Sequence, residues 1–88
     1  MNLPKVGTTI RVLWMDSTSL PGWNYVPEKA PISFAPRTIE TFGRLIAVNP
    51  VAILVAGSFS KPLTDGGEWG YLDPLVIPTG CIVKADSL

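Results

Sequence analysis

The chain has 88 residues, is 47% hydrophobic, and balances seven basic against seven acidic side chains. That length gives one domain, residues 1–88, with a modest core, and the zero net charge argues against a general nucleic-acid binder, whose affinity rests on Lys and Arg against phosphates. Having no histidine and a single cysteine, Cys81, the chain lacks the parts for Ser-His or Cys-His catalysis, a His-ligated metal, an intrachain disulfide or a thiolate zinc site.

The first strand is expected over Lys5 to Met15. Gly7 supplies a turn, and Ile10, Val12 and Trp14 then alternate with Arg11, Leu13 and Met15. Asp16, Ser17, Thr18 and Ser19 end it, because their side chains bond local backbone and favour turns. Residues 17–37 read as one long loop holding Pro21, Pro27, Pro31 and Pro36 with Trp23, Tyr25 and Phe34. A loop of that length in a compact domain is usually either functional or disordered, and its aromatics argue against disorder. Its prolines stiffen it, and its aromatics pack on the fold or on a neighbouring subunit.

Thr38 to Ala56 is expected to form a hairpin turning at Asn49-Pro50. Helical spacing of Ile39, Phe42, Leu45 and Ile46 competes with this over the first half. The short apolar run from Val51 to Ala56, closed by Gly57 and rich in β-branched residues, decides for strands. Gly43 within the first of these strands marks a bend, a bulge or a close backbone approach. Residues 57–70 read as a second loop, with Asp65-Gly66-Gly67 a turn signal fitting a hairpin tip. It lacks the pattern of a phosphate-cradling loop. Leu75 to Ile77 forms the next strand, with Trp69 to Leu72 a candidate to pair ahead of it. Pro78-Thr79-Gly80 turns tightly into a last strand, Cys81 to Ala85. The expected core is Ile10, Val12, Trp14, Leu45, Ile46, Ile53, Val55, Ile77 and Ile82, with Cys81 a small buried hydrophobe.

Nine prolines and eight glycines suit an all-β domain with structured loops. Five short strands, the second bent at glycine, match a small five-stranded SH3-like or Sm-like barrel with a long proline-rich loop after its first strand. No apolar run approaches the roughly 20 residues of a membrane span, and no signal peptide is visible after Met1. One free cysteine suits a reducing, cytoplasmic setting.

Three stretches carry a closer resemblance: Val12 to Trp23, Phe42 to Ala56 and Val76 to Leu88. Trp14, Asp16 and Ser17, then Gly22 with Trp23, Phe42 with Gly43, and Ile77, Pro78, Cys81 and Ile82 resemble motifs of small uncharacterised bacteriophage and prophage accessory proteins. The resemblance implies a viral origin, an accessory role and a place in the cytoplasm of an infected bacterial host. It implies no activity residue by residue, and a fold does not imply a function.

Among the seven acids, only Asp65 and Glu68 are placed together, in a solvated turn, and Asp16 reads as a strand-end cap. The expectation is therefore no enzyme, no cofactor and no metal. The candidate binding residues are Trp23, Tyr25, Phe34, Arg37 and Arg44, which combine aromatic stacking with charge-assisted hydrogen bonds. Repeated by symmetry in a homo-oligomer, few arginines suffice to capture a small anionic, nucleotide-like host-defence signal. The same stiff loop also suits docking of a host protein. The alternatives are an Sm-like ring binding single-stranded RNA through stacking and Arg11, Arg37 and Arg44, and a small virion component. If no ligand is held, Arg37 and Arg44 are expected to be solvated or paired with acids such as Glu40.

Overall fold

The computed structural model describes residues 2–17 and 35–88. Seven strands and a single 3-10 turn follow one another: β1 (Thr9–Asp16), β2 (Arg37–Val48), β3 (Ala52–Ala56), β4 (Ser58–Ser60), β5 (Gly70–Leu72), β6 (Leu75–Pro78), the turn Thr79–Cys81, and β7 (Ile82–Ser87). Among the described residues there is no α-helix, and no helix is long and apolar enough to cross a membrane. Five strands make one antiparallel sheet in the order β6-β3-β2-β1-β7, and β4 pairs with β5 in a separate ribbon. The expected loop over 57–70 therefore contains β4 and the start of β5. The expected loop over 17–37 lies largely outside the described residues, and its last member, Arg37, opens β2.

Local chemistry sets the turns. Asn49 ends β2, and its Oδ1 accepts the backbone N–H groups of Val51 at 2.9 Å and Ala52 at 2.8 Å. Its own N–H donates to the Ala52 carbonyl at 3.0 Å, so one Asn side chain and Pro50 close the β2–β3 hairpin. Between β4 and β5 the Gly67 N–H donates to Thr64 O at 3.0 Å, with Gly66 at φ +78°, a conformation glycine reaches at no steric cost.

The register forces the sheet to coil. β2 pairs with β1 from Arg37 to Arg44, and with β3 from Arg44 to Val48, so Arg44 is where the two ladders overlap. Pro78, at the end of β6, lies opposite Ala52, and Ile82, at the start of β7, lies opposite Trp14. A flat sheet would hold those sites about 30 Å apart along β2 alone. Four residues of chain reach at most about 14 Å. The strand therefore bends sharply and the sheet wraps toward itself, although β6 and β7 do not pair with each other. Gly43 lies next to Arg44, where the two ladders overlap. A Cβ there would stand 2.5 Å from the Ala56 carbonyl oxygen and 2.8 Å from Val55 Cγ1, so its place in the strand is a close backbone approach.

Inside the wrap lie Ile10, Val12, Trp14, Leu45, Ile53, Val55, Ile77 and Ile82, all buried and in mutual contact. Each such side chain contributes about 1.5–3 kcal/mol by leaving water. Trp14 also donates from Nε1 to Thr41 Oγ1 at 2.9 Å, which satisfies its one polar atom. Ile46 departs from expectation. The β2–β3 register shifts between Leu45 and Ala47, so Ile46 is the extra residue of a bulge and is only half-buried. Cys81 is half-buried against the same core.

Candidate functional site

The coiling that buries one face of β2 turns Arg44 outward, beside a ribbon that covers it. Its guanidinium lies 3.9 Å from the Trp69 ring centroid and 5.8 Å from that of Phe59. The two rings meet at 6.1 Å and 50°, within the tilted geometry that aromatic pairs favour. Phe59 comes from β4 and Trp69 from the residue before β5, so Arg44 fastens the ribbon to the sheet by stacking. On another side Gly7, at φ +97°, brings its backbone close: a Cβ there would stand 3.3 Å from Arg44 Nη2. The Gly7 N–H donates to the Leu45 carbonyl at 2.8 Å, which holds that turn beside the guanidinium.

Arg44 Nε is buried and has no hydrogen-bond acceptor among the described residues. A buried donor left without an acceptor costs about 1–3 kcal/mol. Neither described ion pair involves Arg44. Glu40 is taken by Arg11, whose Nε donates to Glu40 Oε1, and Lys84 pairs with Asp86 at 3.5 Å. Of the two expected outcomes for Arg44 without a ligand, solvated or paired with acids such as Glu40, a pair with Glu40 is not formed, because Arg11 on the neighbouring strand holds that carboxylate.

Beside this contact, Ser58, Phe59, Ser60, Gly70, Tyr71 and Leu72 line an open groove of about 350 Å³ along the ribbon. Phe59 belongs to both features. The groove's lining includes three hydroxyl-bearing side chains and two aromatic rings, and Arg44 approaches it through the Phe59 ring.

Of the residues singled out in the sequence, Trp23, Tyr25 and Phe34 lie outside the described residues. Arg37 is exposed, opposite Asp16 at the far end of β2. Seven residues of strand put it on the opposite face from Arg44 and about 23 Å away, so the two arginines do not share a site. The partners that Arg44 has, Phe59 and Trp69, sit in the segment read as a loop. A signal exists for Phe59 but not for Trp69: Phe59 and Tyr71 flank the Asp65-Gly66-Gly67 turn at positions that fall opposite each other in a hairpin, as they do in the β4–β5 register.

A second surface is apolar. Ala47, Leu54 and Val76 stand opposite one another across β2, β3 and β6. With Val48, Asn49, Ala52 and Ile53 they line a depression of about 200 Å³. Among the described residues no group of His, Cys, Asp and Glu is placed to hold a metal ion. Comparison with models of known protein families, with curated proteins and with solved structures finds no match to this chain.

Proposed function

We propose that this chain is a non-catalytic binding protein, built on an SH3-like or Sm-like barrel, that captures a small anionic, nucleotide-like ligand beside the β4–β5 ribbon. The observation that carries the reading is Arg44: stacked on Trp69 and without a carboxylate partner among the described residues. An arginine held in this way keeps its hydrogen-bonding capacity for an incoming phosphate or carboxylate oxygen. The groove lined by Phe59 and Tyr71 suits the flat ring of the same ligand. The resemblance to phage proteins makes a nucleotide signal of host defence, met in the host cytoplasm, the ligand class to test first.

The test is native mass spectrometry of protein purified from a bacterial host, followed by titration with mono-, di- and cyclic nucleotides read by tryptophan fluorescence. The reading expects an added nucleotide-sized mass, absent from Arg44→Gln. A bare protein that no nucleotide perturbs would refute it.

A second reading, docking of a host protein, is favoured by the uncharged row Ala47–Leu54–Val76, whose Val76 is 61% exposed. RNA binding in a ring is less favoured, because Arg11 is committed to Glu40 and Arg37 stands far from Arg44. Assembly into a virion has no particular residue to support it.

A further inference from the structure

The two edges of the five-stranded sheet differ in what they offer another strand. In an antiparallel pair, residues alternate between turning their N–H and C=O groups toward the partner and turning them away. The Thr79 N–H donates to Val51 O, one residue beyond the Pro78–Ala52 pair. That bond makes Ile77 and Leu75 the residues bonded to β3, and turns the backbone of Val76 and Pro78 outward. The free edge of β6 thus presents the Val76 N–H between Pro74 and Pro78, neither of which has an N–H to give. Prolines placed so defeat strand addition.

The edge at β7 differs. The Leu88 N–H donates to Thr9 O at 3.0 Å, beyond the Ile10–Ser87 pair. Asp86 and Lys84 are therefore bonded to β1, and Ala85 and Ser87 turn their N–H and C=O groups outward. A register shift between Leu13 and Trp14 leaves Val83 as the extra residue of a bulge, 57% exposed, which limits the regular edge to its C-terminal part.

We propose that this edge pairs with the same edge of a second copy, antiparallel and about a two-fold axis through Ala85. Charge complementarity names the occupant. With Ala85 opposite its own mate, exchanging two hydrogen bonds, Lys84 falls opposite the mate's Asp86, and Asp86 opposite the mate's Lys84. Both side chains stand on the outer face, since Ala85 between them packs on the core, and within one chain they already approach to 3.5 Å. Opposite charges directly across a ladder stabilise it and like charges destabilise it. A shift of the axis by one residue would bring like charges face to face, so the pattern also sets the register. Strand pairing about a two-fold axis uses one surface twice and closes after two copies.

The test is the mass of the full chain in solution, by sedimentation equilibrium across a range of concentrations. The proposal expects a reversible dimer. Lys84→Asp places aspartates opposite each other twice and weakens the dimer by at least about tenfold. Adding Asp86→Lys restores the opposite pairing and recovers it. Ala85→Pro removes an outward N–H, leaves the β1–β7 bonds in place, and gives a monomer with an unchanged β-sheet circular dichroism spectrum. A monomer at every concentration overturns the proposal, as does a dimer that all of these variants leave unaltered, or one that the charge swap fails to restore.

Discussion

Gly43→Ala tests the account of the fold most directly. The substitution adds one methyl group where β2 passes closest to the backbone of β3. Built on the existing backbone, that carbon stands 2.5 Å from the Ala56 carbonyl oxygen, 2.8 Å from its carbonyl carbon and 2.8 Å from Val55 Cγ1. Carbon–oxygen contacts of this type settle near 3.3 Å or more, so roughly 0.8 Å must be found. Two of the three atoms are backbone of β3, which is bonded to β2 on one side and β6 on the other and has no rotamer to change. Overpacking in a tight site costs about 1–3 kcal/mol, occasionally more. Alanine offsets about 0.4–1 kcal/mol of that by stiffening the unfolded chain. A cost at the upper end of the range leaves a net loss of about 2 kcal/mol, equivalent to a fall in Tm of about 8–16 °C for a domain of this size. Urea unfolding followed by tryptophan fluorescence and by circular dichroism measures it. Gly80→Ala is the control, since no atom lies within 4 Å of its added carbon, and its effect should stay within about 0.5 kcal/mol. If Gly43→Ala is as mild as the control, β2 and β3 do not approach as described and the argument for the coiled sheet fails.

Thr41→Val keeps the shape beside Trp14 and removes the acceptor of its Nε1, so the same unfolding assay should record a loss of about 1–3 kcal/mol. Trp69→Ala removes the ring on which Arg44 lies. Because a two-stranded ribbon is marginal alone, the amides of Ser58–Ser60 and Gly70–Leu72 should exchange with deuterium markedly faster while those of β1 and β2 keep their protection; equal loss in both would mean that the ribbon and the sheet unfold together.

How far the sequence reveals this fold depends on the range over which its signals act. Ile10, Val12 and Trp14 alternate within β1, and the Val51 to Ala56 run is short and β-branched, so both strands and most of the core are legible locally. Asn49-Pro50 and Asp65-Gly66-Gly67 announce their turns by the same local chemistry. Ile46 was misplaced because a bulge changes the alternation without changing residue type, and only the register with β3 reveals it. β4 was missed because three residues, Ser58–Ser60, carry too little periodicity to stand out, and its pairing depends on β5 across a nine-residue connection. The candidate site was legible in one residue. Arg44 is marked by its place after Gly43, but its partners Phe59 and Trp69 come from the ribbon, and Glu40 is held by Arg11 across the strands. Such contacts follow from register, which one sequence specifies only through the whole sheet.

The two proposed surfaces follow from a single feature, the sharp bend of β2. By coiling the sheet, the bend lets the short turn Thr79–Cys81 join strands that would otherwise lie far apart, with β6 and β7 the two edge strands among the described residues. By turning Arg44 outward at the overlap of both ladders, it creates the post to which the ribbon is fastened. The two surfaces nonetheless lie on different strands and share no residue. Pairing at Ala85 leaves Phe59, Trp69 and the groove of the ribbon untouched, and Arg44→Gln leaves the charge pattern of β7 intact. Loss of ligand with retention of the dimer, or the reverse, therefore assigns each result to its own surface. Loss of both from either change would show instead that the bend itself had been disturbed.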